Sequence, residues 1–333
     1  MRPHCRSDMS GLLHTPRCAE KSDDFLTRGN ARWLSLVGRP YILRTGGNVA
    51  QLSLDKLHAV IGLARGYIDR NDSLMFETVG TGFIYAYPEL GSEGNKQYGG
   101  WLVTCKHVVE GIGKSSNHVI VRHNREGNGE MMPFHTSIRA DDGQPRWRFH
   151  PSADIAVHRA DPENLERNNV EWMALAHGYT RAEAESASLL EGDGVFIIGF
   201  PQGWVEGQRD YPVVRQGIIA QIRGWYNQEH QTFLVDGSGF KGNSGGPVIT
   251  KPEVSAVSGW DGATITPSAL IGMVSKVKRA LVDEVEVPKT SLDAAGRETK
   301  QVFLQYSDLI EVVPVDLIEE TIELAKSESL SES

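Results

Sequence analysis

The sequence predicts an all-β protein of the barrel or sandwich kind, followed by one C-terminal helix. Three observations carry that expectation. From about Leu54 onward, short apolar or alternating runs recur, such as GGWLVTCKHVV, HVIVRH, GDGVFIIGF, QTFLVDG and KQVFLQYS. Clusters of Gly, Asn, Asp and Pro separate them at near-regular spacing, as turns separate the strands of barrels and sandwiches. Helical periodicity is confined to two stretches, ALAHGYTRAEAESASLL near the middle and DLIEETIELAKS near the end.

The elements follow in chain order. Residues 1–50 mix basic, acidic and turn residues without sustained periodicity and are expected to form a flexible arm. The ordered domain is expected over 51–326. A first β unit should span about 54–160 and a second about 185–312, linked by the polar stretch from Asp161 to Ala184. The stretch from Lys251 to Pro267 reads as a long hairpin insertion with an exposed Trp260. The terminal helix is expected over 316–326. Asp316 can cap it, Glu319 occupies the acidic position of a capping box, and Ile318, Ile322 and Ala325 share a face. Residues 327–333, SESLSES, are expected to be a disordered tail.

Composition removes several function classes. The chain has 333 residues and a net charge of −9. An acidic chain has no general attraction to phosphate backbones or anionic bilayers, so neither nucleic acid nor membrane is an expected partner. Three cysteines, Cys5, Cys18 and Cys105, are too few and too odd in number for a disulfide framework. The N-terminus lacks the apolar core of a secretory signal, and no apolar run reaches the roughly 18 residues a membrane span needs. A cytoplasmic location is expected. No cofactor and no metal site are expected.

The chemistry concentrates in three places. Gly242-Asn243-Ser244-Gly245-Gly246-Pro247 puts a serine in a glycine-rich turn between two apolar strands. A nucleophilic serine needs such a turn, with backbone N–H groups aimed where a carbonyl oxygen becomes negative. His107 follows the apolar run WLVTCK at a strand end, where it can face a cleft. Asp154 opens the apolar run DIAV, where it needs a hydrogen-bonding partner to offset desolvation. Each has a plainer reading alone: an incidental hairpin serine, a structural histidine, a turn aspartate. Their order His, Asp, Ser is one of the known chain orders of a catalytic triad.

On these motifs, together with GTGF (80–83), ADIAV (153–157), VRQGIIAQI (214–222), VDGSGFKGNSGGPVI (235–249) and IGMVSKV (271–277), the chain resembles the chymotrypsin/trypsin clan. Within it, the chain looks like the bacterial HtrA/DegP-related peptidases, without their PDZ domain. The resemblance implies two six-stranded antiparallel β-barrels and a serine endopeptidase acting on protein or peptide substrates. It makes Ser244 the nucleophile, His107 the general base and Asp154 its orienting partner. It places an oxyanion hole at Gly242, Asn243 and Ser244, chiefly the N–H groups of the first and last. Ser275 corresponds to the residue that hydrogen-bonds the catalytic aspartate. Ser238, Gly239, Phe240, Lys241, Ser275, Lys276 and Val277 are expected to bind substrate, with Lys276 favouring acidic neighbours. The position of trypsin's pocket carboxylate reads Ser238, which implies small or medium uncharged residues before the scissile bond.

Two departures stand out. Val108 replaces the cysteine that follows the histidine in digestive relatives, and Asn243 replaces the aspartate that pairs with a zymogen's new N-terminus. Activation by chain cleavage is therefore not expected, and a regulatory protein partner is. Two rival functions share some of these features. A catalytically idle trypsin-fold binding module would retain the fold, and an esterase would place its serine at a strand-to-helix turn with histidine last.

Overall fold

A computed structural model describes residues 52–68, 70–71, 74–90, 96–126, 129–176, 178–203, 208–256, 263–266, 268–285 and 301–331. The expected N-terminal arm, Trp260 and the last two residues lie outside them.

Short strands dominate, as the sequence predicts. After a one-turn helix α1 (Leu54–His58), the first half contains β1 (Val60–Ile68), β2 (Leu74–Leu90), β3 (Lys96–Thr104), helix α2 (Lys106–Gly113), β4 (His118–Arg125), β5 (Met131–Ser137), β6 (Arg148–Phe149) and β7 (Ala156–Arg159). Helix α3 (Pro162–Arg167), strand β8 (Val170–Glu171) and helix α4 (Arg181–Ser186) occupy the link. The second half contains β9 (Gly194–Gly199), β10 (Val213–Gln221), helix α5 (Arg223–Tyr226), β11 (Phe233–Asp236), β12 (Pro247–Thr250), β13 (Glu253–Ala256), β14 (Ala263–Thr266), β15 (Leu270–Val285), β16 (Gln301–Pro314) and helix α6 (Val315–Ser331).

The second half closes into a six-stranded antiparallel barrel, in the order β10-β11-β16-β15-β12-β9. The run VFIIGF shows why β9 does not alternate. Val195 and Ile197 point into the barrel, while Phe196 and Ile198 pack on the core shared with the first half. A strand buried on both faces reads as a continuous apolar run. The expected hairpin insertion is present as β13 paired with β14.

The first half departs from the closed barrel expected. Its strands follow the order β5-β4-β1-β2-β3-β7-β6, with β8 paired to β4, and the ladder does not close among the described residues. The reason lies in β6, which is two residues long and pairs only with β7. The path's ends are joined by a turn alone, where Arg146 N–H donates to the Ile138 carbonyl at 2.9 Å.

Helix α6 ties the halves together. It continues directly from the last barrel strand, yet Val315, Ile318 and Ile322 are buried in the core that contains Val60, Phe83, Val103 and Val157 of the first sheet. The helix is longer than expected, and SESLSES is not wholly a tail: helix continues to Ser331, where Arg148 pairs with Glu328. The expected capping box is also absent. The Asp316 carboxylate accepts instead from the N–H of Arg181, at 3.0 and 3.1 Å, and Glu319 accepts from the Tyr85 hydroxyl at 2.7 Å. Both acids were drawn to donors on other elements.

The contact between the halves centres on Thr81, which is fully buried in β2. Its hydroxyl donates to the Gly242 carbonyl at 2.6 Å and accepts from Phe200 N–H at 2.9 Å. Its N–H donates to the Ser244 carbonyl at 2.9 Å, and its carbonyl accepts from the Thr104 hydroxyl at 2.7 Å. Thr81→Val keeps the shape but leaves a buried N–H and a buried carbonyl unpaired. It should cost about 1–3 kcal/mol, read as a lower urea midpoint at unchanged slope.

Candidate active site

His107 owes its position to a sharp change of chain direction. Thr104 ends β3, Cys105 is extended, and α2 begins at Lys106. Val108, Val109 and Ile112 turn into the core, which leaves His107 on the open side of the first turn with its side chain half exposed. Cys105 makes no capping bond, so a first-turn N–H needs an acceptor from elsewhere. Asp154 supplies it. One carboxylate oxygen accepts from His107 N–H at 3.0 Å, and the other lies 2.7 Å from Nδ1. A single side chain thereby holds both the backbone and the ring of the histidine.

The turn carrying Asp154 is itself pinned by a residue that sequence reasoning overlooked. His150 is buried, and its Nδ1 accepts from the N–H groups of Ser152 (3.2 Å) and Ala153 (2.8 Å). Its Nε2 lies 3.5 Å from Glu320 on α6. A histidine a few residues before DIAV was the available signal.

Ser275, on β15, is buried and donates to the Asp154 carboxylate at 2.8 Å. Burial would raise the Asp154 pKa. Hydrogen bonds from the His107 ring and N–H, the charge of the imidazole, and the Ser275 hydroxyl outweigh it and bring the group down to about 2. Cys105 behaves oppositely. Burial, then the nearby Asp154 charge, pushes its thiol well up. Its Sγ points at the Val274 carbonyl, 3.1 Å away. Cys105, His107 and Asp154 place three ligand-type atoms within 4.8 Å of one another. With the thiol held protonated and Nδ1 engaged, the group fits a hydrogen-bonded relay better than a metal cage.

Ser244 sits on a loop anchored from both halves. Thr81 holds it from the first sheet, Gly245 N–H donates to Val274 O at 2.8 Å, and Val274 N–H donates back to Gly246 O at 2.9 Å. Gly242 and Gly245 have φ of +95° and +88°, a region L side chains rarely adopt. At Gly242 a Cβ would also strike the Phe200 carbonyl. Among the described residues the N–H groups of Gly242 and Ser244 donate to no protein acceptor, whereas Asn243 N–H is taken by Phe240 O at 3.1 Å. Asn243 therefore has no backbone donor to offer an oxyanion, and that part of the expectation is corrected.

Ser275 brings the other residues together. Its carbonyl accepts from the Ser244 hydroxyl at 3.1 Å, while its own hydroxyl bonds Asp154, which holds His107. Among the described residues Ser244 makes no direct hydrogen bond to His107. Beyond Ser275, the strand edge is open, because β12 pairs with β15 only as far as Met273. Of the expected pocket residues, Val277 closes on Gly239 together with Ile310, and Phe240 lies under the Arg215 guanidinium at 4.4 Å. Ser238 and Lys241 are exposed. Lys276 is exposed as well. It pairs with Glu311 at 3.2 Å, a carboxylate shared with Lys278.

Asp154 gives the fold a pH dependence of known sign. Its folded pKa lies below the ordinary value, so its contribution is complete above about pH 4 and disappears as pH falls towards 2. The melting-temperature gap between the native protein and Asp154→Ala should stay level from pH 7 to 5 and narrow steadily towards pH 2, followed by circular dichroism.

A profile of the trypsin-like peptidase domain matches residues 80–257. We find no match to the chain among curated proteins. The matched segment contains His107, Asp154, Ser244 and the closed-barrel strands β9 to β12, and covers more than half of the sequence; the chain belongs to the trypsin-like peptidase family.

Proposed function

We propose that the protein is a serine endopeptidase that works through an acyl-enzyme. One observation carries the reading: a buried Ser275 ties Ser244 and the Asp154–His107 pair into one hydrogen-bonded array beside two unspent N–H groups. A peptide adding to the open edge at 275–277 would offer an N–H to the Ser275 carbonyl. That competes with the Ser244 hydroxyl and frees it to turn towards His107. Ser244 Oγ then attacks the scissile carbonyl carbon as Nε2 of His107 takes its proton. Asp154 stabilises the imidazolium, and the N–H groups of Gly242 and Ser244 receive the oxyanion. Collapse breaks the C–N bond, with His107 returning the proton to the leaving amine. Water attacks the acyl-enzyme by the same route and restores Ser244.

The reading extends to an HtrA/DegP-like bacterial enzyme in the cytoplasm, acting on protein substrates and restrained by a partner protein. Among the described residues no helix is long and apolar enough to cross a membrane. A catalytically idle module would have no use for the unspent N–H pair. Ser244→Ala or His107→Ala should lower kcat by about 10⁶, and Asp154→Asn by about 10⁴ through the wrong His107 tautomer. A fluorophosphonate probe should label Ser244 in the folded protein. No adduct, with the Ser244→Ala protein equally unreactive, would favour the binding module.

Specificity follows from the pocket walls. With Val277 and Ile310 meeting at Gly239 and no carboxylate at Ser238, the residue before the scissile bond should be small and uncharged. Val277→Gly should open the pocket. The kcat/KM ratio for a phenylalanyl over an alanyl substrate should then rise about tenfold or more. Cleavage mainly after Arg or Lys would refute this pocket.

A further inference from the structure

The open seam of the first sheet encloses a cavity of about 770 Å³, and none of the catalytic residues lines it. Residues from near both ends of the strand path border it, Phe134 and Thr136 of β5 on one side and, on the other, His158 of β7, the strand next to the terminal β6. Its wall is apolar by register. Ile84 pairs with Leu102 and Leu102 with His158, so these three side chains share a face, and Val121 pairs with Phe134 on the neighbouring strands β4 and β5.

Polar groups interrupt that wall without protein partners. His158 Nδ1 and Thr136 Oγ1 are buried and accept or donate no hydrogen bond among the described residues. His123, only 4 % exposed, lines the cavity edge-to-face with Phe134 at 5.7 Å. Burial pushes both imidazoles down to about 4, so they are neutral at pH 7. The lining carries two cations, Arg146 and Arg159, and two anions, Asp161 and Glu163, so its charges sum to zero. The mouth therefore selects neither anion nor cation. Buried polar atoms left unpaired cost free energy that a ligand can recover. The volume lies in the range of ordinary small-molecule sites.

We propose that this seam binds an uncharged, largely apolar small molecule with one or two hydrogen-bonding groups, which engage His158 and Thr136 while Leu102, Ile84 and Phe134 enclose its body. The site stands apart from catalysis, so it can be tested in full-length Ser244→Ala protein, and its failure would leave the protease reading untouched. The probe is N-phenyl-1-naphthylamine, uncharged and apolar with a single N–H donor. Its fluorescence should rise in a saturable one-to-one titration. Ala160→Trp, which fills the mouth, should weaken binding about tenfold or more. His158→Phe and Thr136→Val, which keep shape but remove the polar atoms, should each weaken it about three- to tenfold. Circular dichroism reports whether each variant folds. If Ala160→Trp does not fold, the other two decide. No saturable signal, or affinity unchanged in the folded variants, overturns the proposal.

Discussion

Thr81 stands where the first sheet, the end of β9 and the Ser244 loop converge, and the geometry of the site depends on its being satisfied in every direction. Its hydroxyl both donates and accepts across the interface, its N–H donates across it to Ser244 O, and its carbonyl is held within the first sheet by Thr104. A buried threonine whose every polar group is paired acts as a rivet: moving the loop by an ångström would leave several groups unpaired at once. The two glycines with positive φ then follow as a requirement. Once Ser244 O and Gly242 O are fixed on Thr81, the loop can keep its N–H groups turned outward only through backbone conformations that side chains resist.

The carboxylate beside His107 illustrates a second economy. Asp154 fills the capping role that Cys105 leaves open and orients the imidazole with the same carboxylate. The first turn of α2 and the tautomer of His107 are therefore set by one group. Ser275 secures that carboxylate from the opposite half of the molecule. Each member of the array thus comes from a different element, and its precision derives from how the two halves dock.

Much of this was legible in the sequence, and the failures are instructive. The strands of the closed barrel, the terminal helix and the residues His107, Asp154 and Ser244 each carry a local signal, in alternation, in spacing or in glycines. Helix α2 did not. VTCKHVV is rich in β-branched residues and reads as strand, yet burial of Val108, Val109 and Ile112 on one face overrides that propensity. The open seam was invisible because closure depends on β6, whose two residues fall below what periodicity can detect. The capping box at Asp316 failed for a related reason. An acid near a helix start satisfies whichever donor is nearest in space, and Arg181 N–H lies far away in sequence. Thr81 and His150 were missed because a lone Thr or His inside an apolar run carries no mark of how many partners it will find.

Helix α6 bears on how the chain is made as well as how it is held. Ribosomal synthesis delivers the first sheet early, but Val315, Ile318 and Ile322, which complete its core, follow the whole of the closed barrel. Glu320, beside the histidine that pins the Asp154 turn, arrives at the same late moment. A nascent chain therefore carries His107, Asp154 and Ser244 before it has the means to fix their arrangement. The arrangement of His107, Asp154 and Ser244 is therefore completed only once α6 has docked on the first sheet.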